Sequence, residues 1–366
     1  MKVALVHDFL NRLGGAERVL QTLSEIFPSA PIYTLLYDET KVGKVFPQKK
    51  IRFSSIQKFP NFFKNRIKYF LPFLTTEVEK WDFSEYDLVI SSSSAFAHGI
   101  VTNLKTKHIV YSHSPMRSLW DWHSEYLVEQ KKNFITNIGI KYITNKLRIW
   151  DFYASKRAEI YIANSKNVQE RIKKYYHRDS QIIYPPIDLQ RFKPQKEHEN
   201  YFLIVSTLTP YKNIELAINL FNKIGRKLVI IGDGPQKTYL ESISASNIEF
   251  LGFKPDEIVA EYLQNCRAFI FPGEEDFGIS PVEAMACGKP VLAYAKGGLL
   301  ETVISNKTGE FFGHNTLESI EDGLSRLMLN ENNYDYQKIA KHAEQFSKEK
   351  FKILFHKLTS HLLSPL

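Results

Sequence analysis

The stretch Pro272-Gly273-Glu274-Glu275-Asp276-Phe277-Gly278-Ile279-Ser280-Pro281-Val282-Glu283-Ala284-Met285-Ala286-Cys287-Gly288-Lys289-Pro290-Val291 decides how the chain reads. The apolar run Ala268 to Phe271 before it reads as a buried strand, a Gly-bearing acidic loop follows, then a helix, and Pro290 to Tyr294 begins another strand. Strand, loop, helix and strand make the repeating unit of a parallel α/β sheet, whose ligands bind outside the carboxyl ends of the strands. Amides at a helix N-terminus favour an anion such as a diphosphate, and Gly278 lets the backbone come close to it. Glu275 is expected in the loop and Glu283 about two turns into the helix. One carboxylate can then meet sugar hydroxyls and the other a ribose. A solvated acidic turn before an ordinary helix has the same spacing.

The same alternation extends in both directions. Upstream, strands are expected at Tyr201 to Val205, Lys227 to Ile231 and Ile248 to Leu251. Ile182-Ile183-Tyr184-Pro185-Pro186-Ile187-Asp188 reads as an extended linker, because two prolines cannot continue a central strand. Before it lie strands at Lys2 to His7, Leu88 to Ile90, His108 to Tyr111 and Ile160 to Ala163, and a helix from about Ala16 to Phe27. The spacing of Phe351, Leu354, Phe355, Leu358 and Leu362 predicts one apolar face on a helix over 348–363.

With 366 residues, 43% hydrophobic and 24% charged, the chain has the composition of a folded protein with two cores. Neither a signal peptide nor an uninterrupted apolar span is expected, which favours the cytosol. Cys266 and Cys287 lack any metal-ligand spacing and read as two buried thiols. Residues 1–190 hold 28 Lys and Arg against 18 Asp and Glu, a net of +10 that leaves −2 for the remainder of the total +8. That asymmetry suits an anionic partner, but no nucleic-acid recognition module is present. Lys41 to Leu74 and Gln130 to Trp150 contain no Asp or Glu. In the first, Lys58, Lys64, Arg66 and Lys68 interleave with Phe62 and Phe63, a composition that fits an anionic membrane surface or a basic face over a core.

The loop and helix around Glu275 and Glu283, with the pattern FGxxPxEAxAxGxPV, resemble the E-x7-E signature of the retaining GT-B glycosyltransferases that include many bacterial mannosyltransferases. Further segments across nearly the whole chain agree with that family. They are Gly14-Gly15-Ala16-Glu17-Arg18, Gly232-Asp233-Gly234-Pro235, Leu251-Gly252-Phe253 and Gly297-Gly298-Leu299-Leu300-Glu301. Tyr111-Ser112-His113-Ser114-Pro115-Met116-Arg117 resembles the YxH[ST]PxR segment of the mannosyltransferase-like branch.

The resemblance implies an α/β GT-B fold. An N-terminal, acceptor-side Rossmann-like domain would cover 1–186, joined by a returning helix at 348–366, and a nucleotide-sugar-binding domain would cover 187–347, with the active site in the cleft between them. It implies that Glu275 contacts donor-sugar hydroxyls, Glu283 the ribose, and the amides of Phe277, Gly278, Ile279 and Ser280 the sugar and phosphate. Lys212 would neutralise the donor diphosphate, with Thr207 standing where the family usually has an Arg; Thr207 donates a hydrogen bond but no charge. His113 would face the donor sugar, Gly14 and Gly15 would approach phosphate, Gly252 and Phe253 would lie at the base, and Arg117 would touch phosphate or acceptor or form a surface ion pair. The implied reaction moves a hexose, best matched as mannose from GDP-mannose, to a polyprenyl-diphosphate-linked saccharide, at the cytoplasmic membrane face and without an obligatory metal. A UDP-sugar transferase of the same fold and a non-catalytic sugar-nucleotide-binding protein are the alternatives. An NAD-dependent oxidoreductase would need a GxGxxG after a strand, and none is present.

Overall fold

The computed structural model describes residues 1–60, 71–121 and 134–363. The chain forms two compact units, Met1–Tyr184 with Lys352–Leu366, and Pro185–Phe351. Phe62, Phe63, Lys64, Arg66 and Lys68 lie outside the described residues.

The first unit is built on seven parallel strands, β1 (Val3–Leu10), β2 (Ile32–Tyr37), β3 (Ile51–Phe53), β4 (Leu88–Ser93), β5 (Lys107–Ser112), β6 (Ile160–Ala163) and β7 (Gln181–Ile182), in the order β3-β2-β1-β4-β5-β6-β7. Residues Val3 to Val6 of β1 and all of β4 are buried, because helices cover both faces of a parallel sheet; alternation is therefore absent, and Val3 to Val6 and Leu88 to Ile90 read as continuous apolar runs, with three buried serines completing β4. The chain steps outward from β1 to β3 and returns to β4 on the other side of β1. The loops after β1 and β4 therefore leave in opposite directions and open a crevice at the carboxyl edge.

Helix Gly15–Ile26 follows β1, with Gly14 as its N-cap and Val19, Leu20 and Leu23 buried against the sheet. The C-terminal helix, Lys348–Leu363, reaches this helix: the Phe355 ring meets Phe27 edge to face at 6.5 Å, and Lys352 pairs with Glu25 at 2.8 Å. Phe351, Phe355 and Leu358 are buried, whereas Leu354 is 46% exposed, so the apolar face is narrower than the sequence spacing predicts.

The second unit has six parallel strands, β8 (Phe202–Val205), β9 (Leu228–Ile231), β10 (Ile248–Gly252), β11 (Ala268–Phe271), β12 (Val291–Tyr294) and β13 (Gly309–Phe312), in the order β10-β9-β8-β11-β12-β13. Its order reverses between β8 and β11, where Ala268 lies opposite Phe202 and Phe269 opposite Leu203. The loops 206–212 and 272–278 leave from these two neighbouring strands. Sheet register alone therefore brings Lys212 beside Glu275.

Candidate active site

In the second unit, Pro210–Lys212 is a short 3-10 turn after β8, and Lys212 is almost fully buried. Its ammonium pairs with Glu275 and lies 5.5 Å from the Phe271 ring centroid. The two groups expected to act on phosphate and on sugar are thus already partnered. Glu275 keeps a quarter of its side chain exposed, so one carboxylate edge stays accessible.

The Glu275 backbone is fixed from the far side by Gly297 and Gly298. Gly298 N–H donates to Glu275 O at 2.8 Å, and Glu275 and Gly297 form an isolated parallel bridge. Gly297 has φ +63°, and a Cβ there would lie 2.2 Å from Glu275 O. Gly297→Ala is expected to lower stability by about 1–2 kcal/mol through left-handed strain and to push the Glu275 loop out of place. The matching observation is a melting temperature lower by several degrees together with a rate loss larger than a uniform loss of folded protein explains.

Helix Ile279–Ala286 begins at Gly278, whose φ of +87° is open to glycine at no cost. A helix leaves its first amides without intrahelical acceptors, and here that end adjoins the Lys212–Glu275 pair. The Phe277 ring is buried and meets Phe346 edge to face at 5.3 Å, so Phe277 can offer the site only its backbone. Ile279 and Ser280 are half-buried. Glu283 is the fifth helical residue, little more than one turn in and not two, because the helix starts at Ile279; the residue is 8% exposed. Thr207 is exposed on the β8 loop. Gly252 ends β10 and accepts from Gly232 N–H at 2.9 Å, and the Phe253 ring beyond it is 78% exposed.

In the first unit, register places His7 opposite Ser92 across β1 and β4, and the His113 N–H donates to Ser93 O at 2.8 Å. His7 Nδ1 is 3.1 Å from both Ser92 O and Ser92 Oγ, and His7 Nε2 is 3.5 Å from Glu17 Oε1. Glu17 Oε2 accepts the Gly14 N–H at 2.8 Å. That amide, expected to approach phosphate, is therefore engaged with Glu17 here. Burial raises the Glu17 carboxyl, but its hydrogen bond and charge interaction with His7 outweigh this and hold it below the ordinary value. His113 is partly buried, its Nε2 lies 2.8 Å from Ser92 Oγ, and desolvation first and His7 second push its pKa down to about 3. Arg117 is half-buried on the turn beyond it.

Asp8, to which the sequence reading assigns no role, accepts four amides, from Ser94, Ala95, Phe96 and Ala97, at 2.6 to 3.0 Å. It ties the loop after β4 to the end of β1. Its signal in the sequence is an acidic residue soon after the apolar run Val3 to Val6, inside the strand. Cys266 and Cys287 are buried free thiols, and burial raises the former to about 12. Among the described residues no group of His, Cys, Asp and Glu is arranged to hold a metal ion.

A glycosyl transferases group 1 family model matches residues 186–350, and a glycosyltransferase family 4 model matches 13–191. Together they span the chain from 13 to 350. The chain belongs to the group 1 glycosyltransferases. An uncharacterized glycosyltransferase of Methanocaldococcus jannaschii is 28% identical over 203 residues, 54% of this chain and 57% of that protein. The alpha-1,3/1,6-mannosyltransferase ALG2 of Candida glabrata is 23% identical over 83% of this chain and 78% of its own length. Anabaena HepE, solved in complex with UDP, superposes with a TM-score of 0.70 over 99% of this chain and 100% of its own, at 17% identity. That likeness and the two Rossmann-like sheets place this glycosyltransferase in the GT-B fold. Among its described residues no helix is long and apolar enough to cross a membrane.

Proposed function

We propose that the chain transfers a hexose, mannose from GDP-mannose, with retention of anomeric configuration to a polyprenyl-diphosphate-linked saccharide. The Lys212–Glu275 pair at the head of helix Ile279–Ala286 carries this reading. It sets a cation, helix amides and a hydroxyl-binding carboxylate side by side at the switch point of the sheet. The acceptor oxygen attacks the anomeric carbon on the face that the diphosphate leaves, and the departing phosphate oxygen takes the acceptor proton. Lys212 and the amides from Phe277 to Ser280 stabilise the charge that develops on the diphosphate, and Thr207 adds a hydrogen bond without charge. Glu275 holds sugar hydroxyls and Glu283 the ribose. Gly252 and Phe253 border the base, His113 meets the sugar, Gly15 lies near phosphate, and Arg117 contacts phosphate or acceptor.

The YSHSPMR segment and the likeness to a mannosyltransferase support the mannose donor. The solved complex of HepE with UDP favours a uridine donor as the second reading. A thermal-shift series with GDP, UDP, ADP and NAD separates them, because a ligand bound only by the native state adds about 2.7 kcal/mol at a hundredfold excess over Kd. GDP is expected to give the largest shift. A larger shift with UDP would replace the donor, and a response to NAD alone would overturn the glycosyltransferase reading. Transfer to a lipid-linked acceptor separates an enzyme from a protein that only binds the donor.

A lipid-linked acceptor requires the protein to adsorb to an anionic membrane. Phe53, Phe59 and Phe73 are each more than a third exposed, Lys58 is exposed, and Phe59 stacks on Phe73 at 6.3 Å. On helix Phe134–Ala154, Tyr142, Lys146, Ile149 and Tyr153 share an exposed face, with Lys141 next to it and no acid between Gln130 and Trp150. Basic side chains near an anionic surface contribute about 1 kcal/mol each, and apolar rings enter the headgroup boundary. Replacing Lys58, Lys64, Arg66 and Lys68 with Ser is expected to reduce sedimentation with anionic liposomes at low salt, with nucleotide affinity unchanged. Equal sedimentation of the two proteins would remove this stretch from the membrane surface.

A further inference from the structure

His113 reaches the edge of the sheet through a chain of hydrogen bonds whose polarity can be worked out atom by atom. Ser92 O is a carbonyl and only accepts, so its 3.1 Å contact assigns a hydrogen to His7 Nδ1, and the contact of Nε2 with the Glu17 carboxylate, also an acceptor, assigns one there too. The Nδ1–H is shared with Ser92 Oγ, also at 3.1 Å, which makes the hydroxyl oxygen an acceptor on this side. The hydroxyl hydrogen then points the other way, to His113 Nε2 at 2.8 Å. Burial keeps the His113 ring neutral, so a ring that accepts at Nε2 carries its single hydrogen on Nδ1.

We propose that Glu17, His7 and Ser92 act as positioning residues that lock His113 in the Nδ1–H tautomer, so that the imidazole presents a fixed neutral donor to the sugar. The proposal rests on the reading of His113 as a donor-sugar contact. Glu17 faces His7 Nε2 at 3.5 Å and takes the Gly14 amide on its other oxygen, so the loop that opens helix Gly15–Ile26 and the orientation of His7 depend on one carboxylate. Ser92 is fully buried, and His7 and Glu17 are 3% and 5% exposed, which keeps water from competing with these bonds. Simple packing would need none of this order. Three polar side chains from two neighbouring strands and a helix would otherwise be a costly way to fill a core.

The tautomer can be read directly from long-range nitrogen–proton NMR correlations on the full chain labelled at histidine, with His113 assigned from the signal lost in His113→Asn. The wild type is expected to show a protonated Nδ1 and a bare Nε2 at His113. Ser92→Ala removes the donor to Nε2 and should shift the ring toward Nε2–H, with kcat/KM for transfer falling about tenfold. His7→Asn keeps an N–H beside Ser92 and should retain the wild-type pattern, whereas His7→Leu should not. An Nε2–H ring in the wild type, or an unchanged ring in Ser92→Ala, would overturn the proposal. Should Ser92→Ala fail to fold, the wild-type and His7→Asn spectra decide. A tautomer that moves as expected while His113→Asn transfers sugar at the wild-type rate would instead refute His113 as a sugar contact and leave the relay intact.

Discussion

Glu275→Ala is expected to cut the rate of sugar transfer by about a hundredfold or more and to leave the chain folded. Removing one well-placed donor or acceptor from a preorganised site typically costs a factor of about 10²–10³ in kcat. Glu275 lies in a loop whose backbone is held by Gly297 and Gly298 independently of its side-chain pair with Lys212, and the variant keeps those backbone contacts. The variant loses the carboxylate that partners Lys212. Because Glu275 is a quarter exposed, water can replace part of that partner. A fall in melting temperature of a few degrees is therefore expected, on the scale of about 1 kcal/mol. Glu275→Gln should retain hydrogen bonding to sugar hydroxyls and recover part of the rate. A Glu275→Ala enzyme with wild-type kcat would move the sugar site elsewhere.

Lys212→Ala should be the more severe change for the nucleotide. In the proposed reaction Thr207 brings no second cation, so one ammonium would bear most of the charge on the departing diphosphate. A charge-assisted hydrogen bond contributes about 1.5–3 kcal/mol, which corresponds to a loss of roughly 10- to 150-fold in affinity for nucleoside diphosphate or in rate. The stem of Lys212 is buried beside Phe271, so alanine also leaves a void. Lys212→Met fills it and isolates the charge. If Lys212→Met binds nucleoside diphosphate as tightly as the wild type and turns over equally fast, the diphosphate is held by other groups.

Thr207→Arg offers a further check, since Thr207 is exposed on the same loop with space for a longer side chain. Adding the missing cation is expected to tighten nucleoside diphosphate binding severalfold, and more at low salt than at high salt. A weaker complex would indicate that position 207 faces away from the phosphates.

The central strands were legible in the sequence because burial on both faces writes a continuous apolar run. Ile160–Ala163 and Ala268–Phe271 coincide with expectation, and β1 begins within a residue of it. Strands without such a run escaped. Ile51–Phe53 is a three-residue edge strand with two exposed side chains, and Gln181–Ile182 is two residues long. Gly309–Phe312 carries Glu310, a buried charge that looks out of place in a strand until Arg326 is seen 2.9 Å away. Ile32–Tyr37, an apolar run between a helix and the acid-free stretch, has no counterpart among the expected strands.

The candidate site divides along the same physical line. Glu275, Gly278 and Glu283 form one contiguous motif, and local spacing exposes them. Lys212 is marked in the sequence only by resemblance, and its place beside Glu275 follows from the adjacency of β8 and β11. His7, Asp8 and Glu17 lie within eleven residues of one another, but Ser92 and the amides that Asp8 accepts come from more than 70 residues further along, and single-residue composition carries no record of that pairing.

The return of residues 352–363 to the first unit bears on how the protein is made. Pro185–Phe351 is an unbroken run, so the second unit has all of its sequence as soon as residue 351 is available. The first unit, although synthesised earlier, leaves the surface around Phe27 uncovered until Phe355 arrives. Domains usually close in the order in which the ribosome delivers them. Here the earlier one must wait for the last segment, with apolar surface open to nascent-chain chaperones throughout. A premature stop after residue 351 would therefore damage the opposite end of the polypeptide from the one it shortens.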